Sequence, residues 1–194
     1  MNTYIYFVRH GLAPFSLELE LTGGGASLNE QGKADANRVA ELLRDEGIDV
    51  IISSSYNRAK ETVTPLAEIL QKEIILFGDL IERPIASLNY PVSDEQLLIG
   101  IEKSFVDIDF CMLEGETTRQ AQDRAIPVIL KLLSDYEGRK IVVGTHGNIM
   151  TIILNYFDPS FGFEFWKQTS KPDLYKLEFE EMELKNVSRL WTFY

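Results

Sequence analysis

Two histidines occur in this 194-residue chain, and both stand in the same local setting. His10 closes an apolar run over residues 4–8 (YIYFV) and precedes Gly11; His146 closes a second run over 140–144 (KIVVG) and precedes Gly147. An imidazole can act near neutral pH as nucleophile, proton carrier or hydrogen-bond donor. The glycine after each lets a ligand approach the backbone closely. Arg9 adjoins His10, and Arg58 opens the helix expected after a third apolar run at 49–52 (DVII). A guanidinium keeps its charge and binds phosphate through two parallel hydrogen bonds. A helix starting at Gly147 and Asn148 would add backbone N–H groups and a positive dipole end. Arg9, His10, Arg58 and His146 would together make a small cationic cup.

Elements of regular structure must bring these residues together. The runs at 4–8, 49–52, 73–77 and 140–144 are short, apolar and rich in β-branched or aromatic residues, as buried strands are. Helices are expected from Asn29, as N-cap, to about Arg44, with Val39, Leu42 and Leu43 inward and Gly47 as stop signal. Further helices are expected at 57–71, kinked by Pro65, at 95–105, at 117–136 with an interruption at Pro127, and at 148–156. Two partly alternating strands, 174–179 and 187–193, close the chain. Strands alternating with helices imply a three-layer α/β sandwich with a mostly parallel central sheet, and the last pair adds an antiparallel edge. Ligands of such sheets collect beyond the carboxyl ends of the strands. The chain reads as a single domain over 1–194 with an irregular insert at about 84–115.

Composition narrows the choices. Nineteen basic against 30 acidic residues leave a formal net charge of −11. Such a chain repels nucleic acid and anionic membranes unless it concentrates positive charge locally. One cysteine makes no internal disulfide, and two histidines with one cysteine cannot fill the usual structural zinc sites, so no metal or cofactor is expected. The first residues form a short apolar run without a basic lead, which reads as a strand and not a signal peptide, and the expected location is cytoplasmic. Cys111 lacks an arginine six positions on, where Thr117 stands, and reads as a small buried hydrophobe. Asp107-Ile108-Asp109 lies in an acidic stretch without the strand and glycine that an aspartate nucleophile would need, and the glycine triplet 23–25 is followed by no Gly-Lys-Ser/Thr.

Five segments carry a wider likeness: FVRHG at 7–11, LNEQGKADA at 28–36, SSSYNRAKET at 53–62, GETTRQAQDR at 115–124 and VVGTHGN at 142–148. In their order and spread the chain resembles the histidine phosphatase superfamily, with its phosphoglycerate mutase-like fold. The resemblance implies that His10 attacks phosphorus and becomes phosphohistidine, while Arg9, Arg58 and His146 hold the phosphoryl oxygens. It implies a proton donor after the third strand, matched here by Glu82 in DLIERP with Asp79 in reserve. A carboxyl beside a phosphoryl group is pushed toward its protonated form. Glu116 matches a position whose carboxylate orients groups of the pocket. The chain departs from the family at Leu12 and Ala13, and Ser16 stands where the family has an asparagine; its hydroxyl could still donate to phosphate.

Three readings follow: a phosphomonoester phosphatase acting on a small phosphorylated metabolite, a cofactor-dependent phosphoglycerate mutase-type phosphotransferase, and a phospho-ligand-binding module without turnover. The insert carries Asp94, Glu95, Glu102, Asp107, Asp109 and Glu114 against Lys103, a net charge of 1 − 6 = −5, which disfavours highly anionic bisphosphates. The phosphatase is therefore preferred. Residues 12–21 and the insert are expected to wall the leaving-group side, with Phe15, Leu17, Leu88, Tyr90 and Phe110 as its apolar part. The oligomeric state is left open.

Overall fold

The computed structural model describes residues 1–90 and 92–192, the side chain of Leu17 excepted. Its elements run β1 (Asn2–Arg9), α1 (Leu17–Leu21), α2 (Glu30–Leu43), β2 (Val50–Ser54), α3 (Asn57–Leu70), β3 (Ile74–Phe77), a 3-10 turn (Gly78–Leu80), α4 (Asp94–Val106), α5 (Thr118–Asp135), β4 (Lys140–Thr145), α6 (Gly147–Phe157), α7 (Phe163–Gln168), β5 (Asp173–Glu180) and β6 (Glu183–Arg189). The strands form one sheet in the order β3-β2-β4-β1-β5-β6. Neighbours β3-β2, β2-β4 and β4-β1 are parallel; β5 lies antiparallel on β1, and β6 antiparallel on β5. This is the α/β phosphoglycerate mutase-like architecture with its antiparallel edge.

Alternation along β1 builds the three layers. Ile5 and Phe7 enter one core with Ile52, Ile141 and Val143, under α5 and α6. Tyr6 and Val8 enter the other with Ile51 and Val142, under α2 and α3. Successive side chains of a strand point to opposite faces, so the unbroken buried run from Ile5 to Val8 leaves neither face of β1 free for water there.

Several boundaries differ from those read off the sequence. The inward stripe of α2 is Ala36, Val39, Ala40 and Leu43, while Leu42 points outward and is exposed. Val39 and Leu43 are four apart and share a face, whereas Leu42 lies one step around the helix. Helix α5 runs through Pro127 without a break, because Ala125, Ile126, Val128 and Ile129 are buried on both sides of it. That packing outweighs the lost backbone bond. Helices α1 and α7 were not expected: at five and six residues they are too short to show a helical period. Strand β6 starts at Glu183, four residues before the expected start, and Phe193 lies outside the described residues. Cys111 is half-buried in the insert, not a core residue.

Register brings the chemistry to one edge. Arg9 pairs with Thr145 in the parallel ladder and with Asp173 across the antiparallel one. The backbone N–H of His10 then donates to Thr145 O at 3.0 Å, extending the β1–β4 ladder by one bond. The two residues that leave these strands, His10 and His146, therefore emerge side by side.

Candidate active site

The ring centroids of His10 and His146 lie 5.1 Å apart, edge to face. Both rings are buried, and burial together with nearby arginines holds both pKa values well below the ordinary histidine range. Each imidazole is thus neutral at pH 7. His10 is further constrained to one tautomer. Its Nδ1 lies 2.7 Å from Gly11 O, which can only accept, so Nδ1 carries the proton. Arg58 Nε donates to His10 Nε2 at 3.2 Å, which places the lone pair on that nitrogen. A neutral imidazole unprotonated at Nε2 is the form that can attack phosphorus once Arg58 gives up that hydrogen bond.

The loop that carries His10 is held from below. Gly11 N donates to Thr62 Oγ1 at 3.0 Å, and the Thr62 hydroxyl donates to Arg58 O at 2.7 Å, so α3 ties the His10 loop to the turn bearing Arg58. Gly32 of the LNEQGKADA segment lets α2 approach the same loop: a Cβ there would sit 2.3 Å from Leu12 O. Asn29 caps α2 by accepting from Gly32 N at 2.8 Å. Gly147 allows a similar approach. A Cβ on it would lie 2.5 Å from Arg9 Cζ, so only glycine lets the guanidinium rest against the start of α6. Arg9 Nη1 donates to both Thr169 O, at 3.3 Å, and the Thr169 hydroxyl.

His146 Nε2 lies 2.8 Å from Ser54 Oγ, at the end of β2. Tyr56 packs edge-on against His146, and its ring lies 4.9 Å from the Arg58 guanidinium. Four buried side-chain polar atoms among the described residues have no protein partner, and three belong to this cluster: Arg9 Nε, His146 Nδ1 and Asn148 Oδ1. Such atoms are costly in a dry interior unless a ligand meets them.

Glu82 is drawn into the same edge by the start of α6. Its Oε1 accepts from Arg83 N and Ile149 N, each at 2.9 Å, and its Oε2 accepts from Asn148 N at 3.1 Å. The Asn148 backbone N–H expected to meet phosphate is therefore engaged by Glu82. The Arg83 side chain turns away from Glu82 to Thr118 Oγ1 (3.0 Å) and Ser104 Oγ (2.8 Å), and burial lowers its pKa to about 10.

A cavity of about 510 Å³ opens here, lined at one end by Arg9, His10, Arg58 and Glu82. Its opposite wall is largely apolar, with Phe15, Ile85, Leu88, Tyr90, Val92 and Leu97. Phe110 of the expected wall instead lies under Lys103, and the Leu17 side chain is outside the described residues. Of the insert's acids Asp94 reaches the cavity, while Asp109 is paired with Arg119. Ser16 is not brought to this wall; it caps α1, accepting from Leu19 N at 3.4 Å. Asp79 is exposed on the 3-10 turn. Glu116 forms a two-pronged pair with Arg124 at 2.7 and 2.9 Å, and Arg124 also donates to Asp79 O at 2.5 Å. Glu116 thus orients Arg124, outside the cavity wall.

Residues that the sequence did not single out complete the site: Glu20, Tyr56, Thr62, Thr169 and Lys171. Lys171 lines the cavity, with its pKa lowered by partial desolvation and by Arg9 beside it. Topology held the signal for Thr169 and Lys171. The segment before an antiparallel edge strand arrives at the carboxyl edge of its parallel neighbours, where the register sets Asp173 opposite Arg9. No helix among the described residues is long and apolar enough to cross a membrane, and no group of three or more potential metal ligands occurs among them.

Fold and site together define an α/β protein with a histidine–arginine cluster at the carboxyl edge of its parallel strands. The chain belongs to the histidine phosphatase superfamily (branch 1), whose family model matches residues 5–190. It is 31% identical over 165 residues to phosphoglycerate mutase-like protein 4 of Arabidopsis thaliana, covering 80% of this chain and 71% of that one. It is 26% identical over 153 residues to the uncharacterized phosphatase PhoE of Bacillus subtilis, covering 78% and 76%. The structure of phosphoserine phosphatase from Entamoeba histolytica in complex with 3-phosphoglyceric acid superposes with a TM-score of 0.75 over 98% of both chains, at 21% identity. That last likeness is one of fold.

Proposed function

We propose that this protein is a phosphomonoester phosphatase working through a phosphohistidine on His10. The observation that carries the reading is the tautomer of His10: Nδ1–H on Gly11 O, with the Nε2 lone pair beside Arg58 at one end of the cavity. Nε2 attacks phosphorus and the P–O bond to the leaving group breaks. Glu82 supplies the proton to the departing oxygen. Arg9, Arg58 and His146 meet the phosphoryl oxygens, where each well-placed donor contributes about 3 kcal/mol to the transition state. Water then attacks the phosphorus of phosphohistidine, Glu82 takes its proton, and orthophosphate leaves. Ser16 is not assigned to phosphate, since it is not among the residues that line the cavity. Gly147 is kept as the spacer that admits Arg9, and Asn148 through its unpartnered side-chain oxygen.

The leaving group faces an apolar wall much larger than a phosphate, which supports a small organic ester as substrate. A cytoplasmic location belongs to the same proposal. The name of the Arabidopsis relative favours a second reading, phosphoglycerate mutase-type transfer. Asp94 and Glu20 in the cavity speak against a bisphosphate donor, because two more carboxylates near it would repel it.

The test is rapid acid quench with phosphorus-labelled substrate. Acid-labile phosphate is expected on the wild-type protein and absent from His10→Ala. Hydrolysis by His10→Ala at the normal rate would overturn the mechanism. Conversion of 3-phosphoglycerate that depends on 2,3-bisphosphoglycerate and outpaces hydrolysis would replace it with the mutase.

A further inference from the structure

Arg58 is already engaged. Its Nε meets His10, and its Nη1 is paired with Glu20 of α1. The two side chains are only 11% and 9% exposed. A phosphoryl group on His10 would lie beside this same guanidinium, and the Glu20 carboxylate and the phosphate are alternative partners for its single positive charge. Both cannot be accommodated without bringing a carboxylate against a dianion in a partly dry site.

Among the described residues, backbone hydrogen bonds tie the segment that carries Glu20 to the rest of the fold at its two ends. Asn29 N donates to Leu12 O at 2.9 Å at its start, and Asn57 N donates to Gly24 O at 2.8 Å at its close. Between them Phe15 is 74% exposed, and Leu19 and Leu21 are exposed as well, so these three side chains of the arm belong to neither core. Gly23 (φ 82°) and Gly25 (φ 64°) hold conformations that other residues rarely adopt. At Gly25 a Cβ would also lie 2.8 Å from Arg58 Nη1, so glycine is what lets the arm close onto the guanidinium.

We propose that Glu20 is a carboxylate latch: in the free protein it occupies Arg58 in place of a phosphoryl group, and an incoming phosphate ester must displace it. This rests on the phosphate-site reading above. The latch lowers affinity for the ester and for product orthophosphate alike. Its return to Arg58 after hydrolysis expels orthophosphate, which suits a site that discharges to water over one that retains a phosphoryl donor.

Orthophosphate binding by titration calorimetry, on wild type, Glu20→Gln, Glu20→Ala and Arg58→Ala, tests the latch independently of turnover. If the latched state holds about nine-tenths of the free protein, removing it tightens orthophosphate binding about tenfold. Both Glu20 variants should show this. A residue that merely positioned Arg58 would give the opposite sign, so weaker binding in both variants overturns the latch. If wild type binds, Arg58→Ala does not, and the Glu20 variants match wild type, the latch alone fails. If nothing binds, or Arg58→Ala binds as wild type does, the phosphate-site reading fails and the latch with it.

Discussion

The two ends of the cavity are built from different material. At the end that holds His10, Arg9 closes β1 and His10 follows it, Arg58 stands in the first turn of α3, His146, packed against His10, is the N-cap of α6, and Glu82 follows the 3-10 turn. Ladder bonds, Thr62, Ser54 and Thr169 hold them in place. The far wall comes from the arm at 12–25 and the insert at 84–115, whose apolar side chains Phe15 and Tyr90 are exposed. Chemistry needs groups fixed to within a fraction of an ångström, and only the sheet edge offers that. Selection of a leaving group tolerates looser walls, and loops supply them.

Breaking the fixed end should therefore cost most. His10→Ala is expected to lower kcat by at least about 10⁴-fold, as loss of a nucleophile typically does; steady-state hydrolysis of p-nitrophenyl phosphate measures it. Glu82→Gln should slow alkyl phosphates by about 10²- to 10⁴-fold and p-nitrophenyl phosphate far less, because a good leaving group needs no proton. Equal slowing of both would remove Glu82 as the acid. Gly147→Ala drives a methyl into Arg9 and should cost about 10²-fold in kcat/KM, the usual penalty for a displacement near 1 Å.

At the soft end the effects are smaller and appear as selectivity. Leu88→Ala should reduce the preference for bulky aromatic over small aliphatic esters by about tenfold, read as a ratio of kcat/KM values across an ester panel. A further signal, separate from turnover, is in stability. His10 and His146 are both held neutral when folded, so below about pH 6.5 the unfolded chain binds protons that the native protein does not. Native pKa values are depressed, so this stability is present above pH 6.5 and lost as pH falls from there toward those values. It amounts to at most about 1.4 kcal/mol per pH unit per histidine. Melting temperatures measured between pH 7.5 and 5 should fall accordingly. Two histidines make the NMR check simple: neither ring should titrate near 6.5.

Most of the fixed end was legible in the sequence and little of the soft end. Strand–His–Gly occurs twice, and apolar runs of strand length leave few places for the following residue to go. Thr62 and Gly32 lay inside recognisable segments, but their roles depend on a hydrogen bond to Gly11 and on the approach of α2 to Leu12, neither of which has a sequence period. Ser16 caps a helix too short to show a period, and that helix sets it apart from the residues that line the cavity. Glu20 falls within the wall expected at 12–21, but nothing in the sequence pairs it with Arg58. An acid among apolar residues reads as a solvated face until the chain folds back on Arg58.

Local order thus determined what the chain by itself could determine: the strands, the long helices, the imidazoles at strand ends and the arginines beside them. These depend on residues close in sequence, through periodicity, capping and steric preference. Tertiary structure decided the rest. Parallel register set His10 beside His146, and the antiparallel β5 brought Thr169 and Lys171 to Arg9. The start of α6 claimed Glu82, and the arm laid Glu20 on Arg58. Each joins residues distant along the chain, where strength comes from burial and from satisfying polar groups, and those terms exist only once the chain has closed on itself.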